Sequence, residues 1–338
     1  MNYPSFAIVI PCLNEEAYIA KCINSILQQN YPAELIKAYV VDGMSADKTR
    51  EVIASYFDSG KVVLVDNMER ITPIALNLGI KASNEDIVMI LGAHAELYPD
   101  HLENLARHLA QHPDAGCVGG IIENEYENET SRFIGLAMGS SFGVGNAHFR
   151  TGNRDGYVDT VAFGAYRREV FTKAGYFDED LVRNQDDEFN FRLHQHGFRI
   201  WLGRDVRSKY FVRGSFAKLF KQYFQYGYWK VYVNKKHKTI TTMRQVIPAL
   251  FVVFIFAGFL MSFAHPVLAV LYFIAWFLYL FAGSYAAVIA SGSPMQTPKV
   301  IWAFFILHLS YGSGYLEGIW HFIILGRKPL SRHRELSR

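Results

Sequence analysis

Polar residues of a chemically useful kind gather at four places in this 338-residue chain. Asn14-Glu15 follows Pro11-Cys12-Leu13, and Asp42 ends the apolar run Ile36 to Val41 and precedes Gly43. His94 and Glu96 follow the run Ile87 to Leu91. Asp186-Asp187-Glu188 stands directly before Phe189 and Leu193, which are spaced i, i+4 for burial. In a parallel α/β sheet, ligands bind beyond the carboxyl ends of the strands, so the first three groups belong on one edge. Together they fit a crevice for a nucleotide or a sugar. Each also has a plainer reading: Asp42 as the cap of a turn, Asp186 as a helix N-cap, Glu96 as a solvent-facing loop acid, His94 as a structural hydrogen-bonding group. Three consecutive acids ahead of a buried face exceed what a cap requires.

The elements that must position these groups follow from periodicity. Phe6 to Ile10 reads as a first strand stopped by Pro11, after which Asn14 is expected to cap a helix with Glu15 and Glu16 in its first turn. Ile19, Ile23, Ile26 and Leu27 would face the sheet. After Asp42, Ser45 or Asp47 can cap a helix whose apolar face is Val52, Ile53, Tyr56 and Phe57. Lys61 to Val65 is a third strand, Thr72-Pro73 opens a helix to Ala82, and Ile87 to Leu91 is a fourth strand. A helix from about Pro99 to Gln111 and a short strand from Cys117 to Ile122 follow. Alternating strands and helices indicate a parallel sheet covered by helices. Glu123 to Glu129 reads as an acidic loop, and the glycine-rich Gly135 to Gly145 as mobile or close to a ligand.

Composition excludes several classes. No Gly-x-Gly-x-x-Gly follows the first strand and no P-loop is present, so the usual dinucleotide and ATPase signatures are missing. A net charge of +3 is too small to argue for nucleic acid. Cys12, Cys22 and Cys117 have no metal spacing and read as buried thiols of a reducing compartment. The run Phe6 to Ile10 is too short for a signal peptide. From about residue 240 long apolar runs dominate. Val246 to Phe263 and Val267 to Ala290 are long enough to span a ~30 Å hydrocarbon core, joined by a tight Ala264-His265-Pro266 hairpin. Val300 to Leu325 is a third apolar segment, interrupted by Gly312-Ser313-Gly314 and carrying His308, Glu317 and His321. Those ionisable groups either meet a lipid phosphate or bridge helices.

With these residues in place, the chain resembles the family 2 inverting glycosyltransferases, which have the GT-A fold. Pro11-Cys12-Leu13-Asn14-Glu15-Glu16 is similar to their opening motif, and Asp42 to Thr49 to their Asp-rich nucleotide motif. Gly92-Ala93-His94 lies where they carry Asp-x-Asp, and Gln185-Asp186, followed by Glu188 and Arg192, where they carry Glu-Asp. The apolar tail, Arg213-Gly214-Ser215 and Gln222 to Gly227 bring the resemblance nearest to the succinoglycan-type, ExoA-like transferases. The resemblance implies an α/β fold: a Rossmann-like, mostly parallel sheet with helices on both faces, plus C-terminal transmembrane helices. It implies a UDP-sugar donor and a polyprenyl-diphosphate-linked saccharide acceptor. Asp42 would bind the uracil, with Pro11, Asn14, Glu15 and Ala93 shaping the nucleotide pocket. Asp186 would be the general base, supported by Asp187, Glu188 and Arg192, the arginine either stabilising the leaving diphosphate or orienting Asp186. His94 and Glu96 would stand near a Mn²⁺ or Mg²⁺ ion and the diphosphate. Gln222, Tyr226 and Arg213 would serve the acceptor or the diphosphate. Two departures stand out: Gly92 where the family's first Asp is expected, and Gln185 in place of Glu. A Gln-x-x-Arg-Trp motif is absent, which argues for adding one sugar rather than a polymer.

The expected organisation is a cytoplasmic catalytic domain over 1–212, an amphipathic interfacial helix region over 213–240 and a membrane region over 241–326. That region holds two spans and a third broken or re-entrant segment, and a basic tail occupies 327–338. The interfacial assignment rests on aromatic residues from Phe216 to Tyr232 interleaved with Lys218, Lys221 and Lys230. Basic clusters at Lys235 to Lys238 and from Arg327 onward suit anionic lipid on the cytoplasmic face, yet three full crossings would put them on opposite sides. Two other functions compete: transfer onto polyprenyl phosphate itself, and a catalytically silent scaffold that binds nucleotide sugar.

Overall fold

The computed structural model describes residues 3–152, 154–212, 214–241 and 243–329. In chain order the elements begin with β1 (Phe6–Cys12), α1 (Ile19–Leu27), β2 (Ile36–Asp42), α2 (Thr49–Ala54), β3 (Val62–Asp66) and α3 (Thr72–Ala82). Then come β4 (Ile87–Ile90), β5 (Ala95–Leu97), α4 (His101–Gln111), β6 (Ala115–Glu125), α5 (Glu129–Met138), α6 (Ser141–Val144) and α7 (His148–Thr151). β7 (Gly156–Val158), β8 (Ala162–Arg167), α8 (Arg168–Ala174), α9 (Gln185–Gln195) and β9 (Arg199–Phe211) follow. The rest is helical: α10 (Phe216–His237), α11 (Ile247–Val253), α12 (Phe259–Ser262), α13 (Pro266–Ser291) and α14 (Thr297–Gly318). These elements form two units, Met1–Asn124 with His148–Phe211, and Glu125–Ala147 with Val212–Arg338.

The first unit is built on a sheet of order β3-β2-β1-β4-β8-β6-β9-β5, with β7 beside β9. Its parallel part is β3-β2-β1-β4, the run anticipated from the alternating pattern. The other half turns antiparallel: β8 pairs against β4 and β6, and β9 against β5 and β7. β9 and the short β5 and β7 left no readable apolar alternation in the sequence. β1 and β2 are buried almost throughout, as strands covered on both faces must be. Ile8, Ile10, Ile23, Ile26 and Val40 fill one side of the sheet, and Val9, Val41, Leu76, Phe171 and Phe189 the other.

The second unit is a helix assembly. α10, expected to lie in an interface, buries a face running from Leu219 to Val233 that includes Gln222, Trp229 and Lys230. It packs along α14 at backbone distance. A Cβ on Gly227 would stand 2.0 Å from the Tyr311 carbonyl oxygen, and one on Gly314 2.0 Å from that of Phe224. Only glycine permits this approach, as in closely packed membrane helices. The glycines therefore do not break the third apolar segment: α14 is continuous through them and runs on as a π-helical turn from Ile319 to Ile324. Arg244–Ser262 and Pro266–Ser291 are the two helices, among the described residues, long and apolar enough to cross a membrane. Their large apolar side chains, such as Phe256, Leu260, Phe273, Phe277 and Ile289, lie exposed, which a soluble core helix would not tolerate. His265 caps α13 by accepting from the Val267 N–H at 3.2 Å, with Pro266 in its first turn, which makes the expected hairpin. His308 donates through Nε2 to the Phe142 carbonyl at 2.8 Å, and Tyr279 donates to its Nδ1 at 3.0 Å. His321 Nδ1 meets the Tyr228 hydroxyl at 2.9 Å. Both histidines thus bridge helices.

Candidate functional site

The carboxyl edge of the parallel strands holds the candidate site. Register places Cys12, Asp42 and Asp66 side by side at the ends of β1, β2 and β3. Asp42 is fully buried and accepts from the Ser45 N–H at 3.0 Å, from the Ser45 hydroxyl, and from Arg50 Nη1 at 2.8 Å. It closes a turn and also anchors a charge network. Arg50, on α2, reaches Asp66 at 2.8 Å with the same nitrogen. Hydrogen bonds to Asp42 and then Asp66 hold its guanidinium above its ordinary range.

The opening motif is knitted onto this loop. Asn14 sits at φ 53°, its N–H donates to Ser45 Oγ at 2.8 Å, and its Oδ1 accepts from the Ala46 N–H at 2.9 Å. Asn14 therefore caps no helix: its carboxamide is taken up by the neighbouring loop, and α1 starts only at Ile19, beyond Glu15 and Glu16. Glu16 accepts from the Lys48 N–H at 2.9 Å, while its own N–H donates to Asp47 Oδ2 at 3.2 Å. Asp47 also accepts from the Thr49 N–H at 3.0 Å. Desolvation raises the Asp47 carboxyl, but the hydrogen bonds from Thr49 and Glu16 outweigh it, and the net shift is downward. Pro11 is half-buried within β1 opposite Val41, and Ala93 is fully buried after β4.

At the β4 end, His94 Nδ1 lies 3.8 Å from Glu15 Oε1, so the structure brings these two expected residues together. The Glu15 N–H donates to Thr49 Oγ1 at 2.8 Å, which ties the pair back to α2. Across the β5–β9 ladder Ala95 faces Tyr210, and the Tyr210 ring stands edge-on to His94 at 5.5 Å between centroids. Glu96 lies on β5 opposite Lys209. Burial and then the Glu96 carboxylate push the Cys22 thiol up to about 12, so this cysteine is inert. All three cysteines are free and buried.

By themselves these side chains do not assemble a site for a resident divalent metal. Hard cations take several oxygen ligands. Gly92 supplies none, His94 faces Glu15, and among the described residues no three His, Cys, Asp or Glu side chains converge on one point. The expected Mn²⁺ or Mg²⁺ site at His94 and Glu96 is thus not assembled by the described side chains, and Gly92 adds no ligand to it.

Asp186 opens α9 and is exposed. The helix is tied to the carboxyl edge by Asn190 Nδ2 donating to Thr160 Oγ1 at 3.0 Å, two residues before β8. Since β8 runs opposite to β4, its start lies at the strand ends that carry the crevice. Asp186 Oδ1 accepts from the Asp187 N–H at 2.9 Å. Glu188 is fully buried, and its carboxylate takes both Nε (2.7 Å) and Nη2 (2.8 Å) of Arg192. Arg192 also donates to the Ala174 and Tyr176 carbonyls. Its guanidinium is spent on locking α9 to the end of α8. In the second unit, Gln222 Nε2 donates to the Tyr226 hydroxyl at 2.9 Å along α10. Arg213 lies outside the described residues. Sequence reasoning missed Arg50, Asp66, Arg150 and Tyr210. Asp66 had a signal, a second apolar run ending in aspartate; the others act through tertiary pairings that no short motif carries.

The chain has recognisable relatives. Residues 7–175 match the model of glycosyl transferase family 2. A dolichyl N-acetyl-α-D-glucosaminyl phosphate 3-β-D-2,3-diacetamido-2,3-dideoxy-β-D-glucuronosyltransferase of Methanococcus voltae is 32% identical over 238 residues, 67% of this chain and 72% of its own length. The succinoglycan biosynthesis protein ExoA of Rhizobium meliloti is 29% identical over 248 residues, 72% of this chain and 74% of ExoA. Among solved structures, the mannosyltransferase PcManGT from Pyrobaculum calidifontis, in complex with GDP-Man and Mn²⁺, superposes with a TM-score of 0.61 at 19% identity. It covers 95% of this chain and 88% of that one, a likeness of fold. With a mixed GT-A sheet, a polar strand-end crevice and these relatives, the chain belongs to glycosyl transferase family 2 and is a glycosyltransferase of the ExoA type.

Proposed function

We propose that this enzyme moves a hexose from a UDP-sugar to a polyprenyl-diphosphate-linked saccharide, with inversion at the anomeric carbon. The observation that carries the reading is Asp186, an exposed carboxylate in the first turn of a helix tied to the crevice edge. A sugar hydroxyl is a weak nucleophile and needs a base within hydrogen-bond reach. Asp186 takes the hydroxyl proton as the acceptor oxygen forms its bond to the anomeric carbon. The bond from that carbon to the diphosphate breaks on the opposite face. Glu188 and Arg192 hold α9, and with it Asp186, in place. Asp42, fixed by Ser45 and Arg50, faces the base of the nucleotide with Asn14 and Glu15 beside it. Gln222 and Tyr226 serve the acceptor. The relatives support the acceptor class through their names, which describe a dolichyl-phosphate-linked saccharide and succinoglycan.

The helices Arg244–Ser262 and Pro266–Ser291 serve as membrane spans, with the catalytic unit in the cytoplasm where nucleotide sugars reside. Two crossings return the chain to the side it left. The basic clusters before the first span and after α14 then share the cytoplasmic face, in accord with the positive-inside rule.

The test is acceptor-dependent release of UDP by the purified protein in nanodiscs, across UDP-sugars, with a polyprenyl-diphosphate saccharide extract. Wild type turns over and Asp186→Asn loses at least about a thousandfold, within the span that a lost base covers. Equal turnover by Asp186→Asn removes the base assignment. Binding of UDP-sugar without turnover by any pair favours a silent scaffold.

A further inference from the structure

We propose that Arg150 is the cation that receives the leaving diphosphate, in the place the family gives to a metal-binding aspartate. The inference rests on the transferase reading of the crevice. Arg150 belongs to the one-turn α7, and its guanidinium carbon lies 5.5 Å from the centroid of Tyr210 and 5.3 Å from that of Phe149. Tyr210 is also the ring that meets His94. Glu15, His94, Tyr210 and Arg150 are therefore linked by successive contacts near the ends of β1, β4 and β9, beside Gly92, where the resemblance expects a carboxylate.

The polar accounting at Arg150 is incomplete. Its Nη1 is buried with no hydrogen-bond partner among the described residues, and so is the Oγ1 of the adjacent Thr151. Buried polar atoms are nearly always paired, so two consecutive orphans ask for a partner that the described residues do not supply. A guanidinium cannot shed its proton to escape the cost of burial. The partner must be an acceptor, preferably an anion, and an arginine fork suits phosphate oxygens. Aromatic faces on Phe149 and Tyr210 hold the cation in place without consuming its donors. When the bond from the anomeric carbon to the diphosphate breaks, the electron pair stays on the diphosphate oxygen. A fixed positive group at that point lowers the barrier most where the charge is greatest. An aspartate at 92 would place its Cβ 3.7 Å from His94 Cε1, beside the same row, so glycine and arginine together exchange a metal ligand for a built-in cation.

The experiment measures binding of UDP and of uridine, with GDP and guanosine in parallel, to full-length protein in nanodiscs by calorimetry. It is run with EDTA for wild type, Arg150→Ala and Arg150→Lys. Wild type binds a nucleoside diphosphate in EDTA. Arg150→Ala weakens the diphosphate about thirtyfold and leaves the nucleoside unchanged, Arg150→Lys recovers part of the loss, and turnover of Arg150→Ala falls by about a hundredfold or more. Equal diphosphate affinity in wild type and Arg150→Ala overturns the assignment. So does an equal loss for the nucleoside, which would mark a structural role, or a wild type whose diphosphate binding vanishes in EDTA and returns with Mn²⁺. A wild type that binds neither diphosphate in either condition overturns the transferase reading, and this one with it.

Discussion

The two ends of the crevice edge are built on opposite principles. At the β2–β3 end the charged groups have internal partners: Asp42, Ser45, Arg50 and Asp66 satisfy one another, and Asn14, Glu16 and Asp47 close the loops around them. At the β4–β9 end Gly92 stands where the family carries a carboxylate, and Arg150 and Thr151 keep buried atoms without a partner among the described residues. On the proposed reading the first end holds a neutral, shape-defined group such as a nucleobase and the second receives charge, which would separate binding from chemistry along one sheet edge.

Substitutions should divide accordingly, in fold at one end and in turnover at the other. The largest effect is expected for Asp42→Ala, which strands three donors at the closed end. At about 1 kcal/mol for each net hydrogen bond, it should cost about 3 kcal/mol in denaturant unfolding and weaken nucleotide binding as well. An Asp42→Ala protein as stable as wild type would break the contrast.

A control for the meaning of an orphaned atom comes from His101. Its Nδ1 donates to the Arg207 carbonyl at 2.7 Å, and its Nε2 is buried without a partner. Unlike arginine, histidine can answer by staying neutral, and burial lowers it from 6.5 to about 4. The unfolded chain therefore takes up a proton that the folded one refuses. Stability is kept above pH 6.5 and lost as pH falls toward 4, by up to about 3 kcal/mol. His101→Asn should flatten that part of the curve. No loss over this window would mean that Nε2 has a partner.

At the open end, His94→Gln should leave the melting temperature within about 2 °C, as expected of a substitution that empties no core. Turnover should fall about tenfold. A large loss of stability would place His94 with the structural network. The smallest effect concerns the closed end in acid. With its carboxyl held below its ordinary range, Asp47 contributes stability that is present above about pH 3.9 and lost as pH falls through its lower folded value. Asp47→Asn should remove that slope in acid melts without changing behaviour near neutrality.

Much of this plan was legible in the residues. The parallel strands, the strand-end acids and the helix behind Asp186-Asp187-Glu188 each have a local cause, apolar runs and spacings of three and four. Three readings went astray because a distant partner intervened. Asn14 looked like a cap, but its carboxamide is claimed by Ala46, thirty-two positions on. Arg192 looked available to a phosphate, but Glu188 and two carbonyls use it. The glycines of α14 looked like a break, and serve instead as a bed, Gly314 for α10 and Gly312 for α11. Arg150 left no trace, since only the folding of β9 brings Tyr210 beneath it.

The bed has a mechanical consequence. Where Gly227 meets the Tyr311 carbonyl and Gly314 that of Phe224, the two helices act as meshed teeth. Sliding α10 by one turn, about 5.4 Å, would drive Tyr223 or Val231 into the slot that only hydrogen now fills. α10 therefore cannot work as a piston. Any movement that carries Gln222 and Tyr226 must either take α14 along or pull the two helices apart.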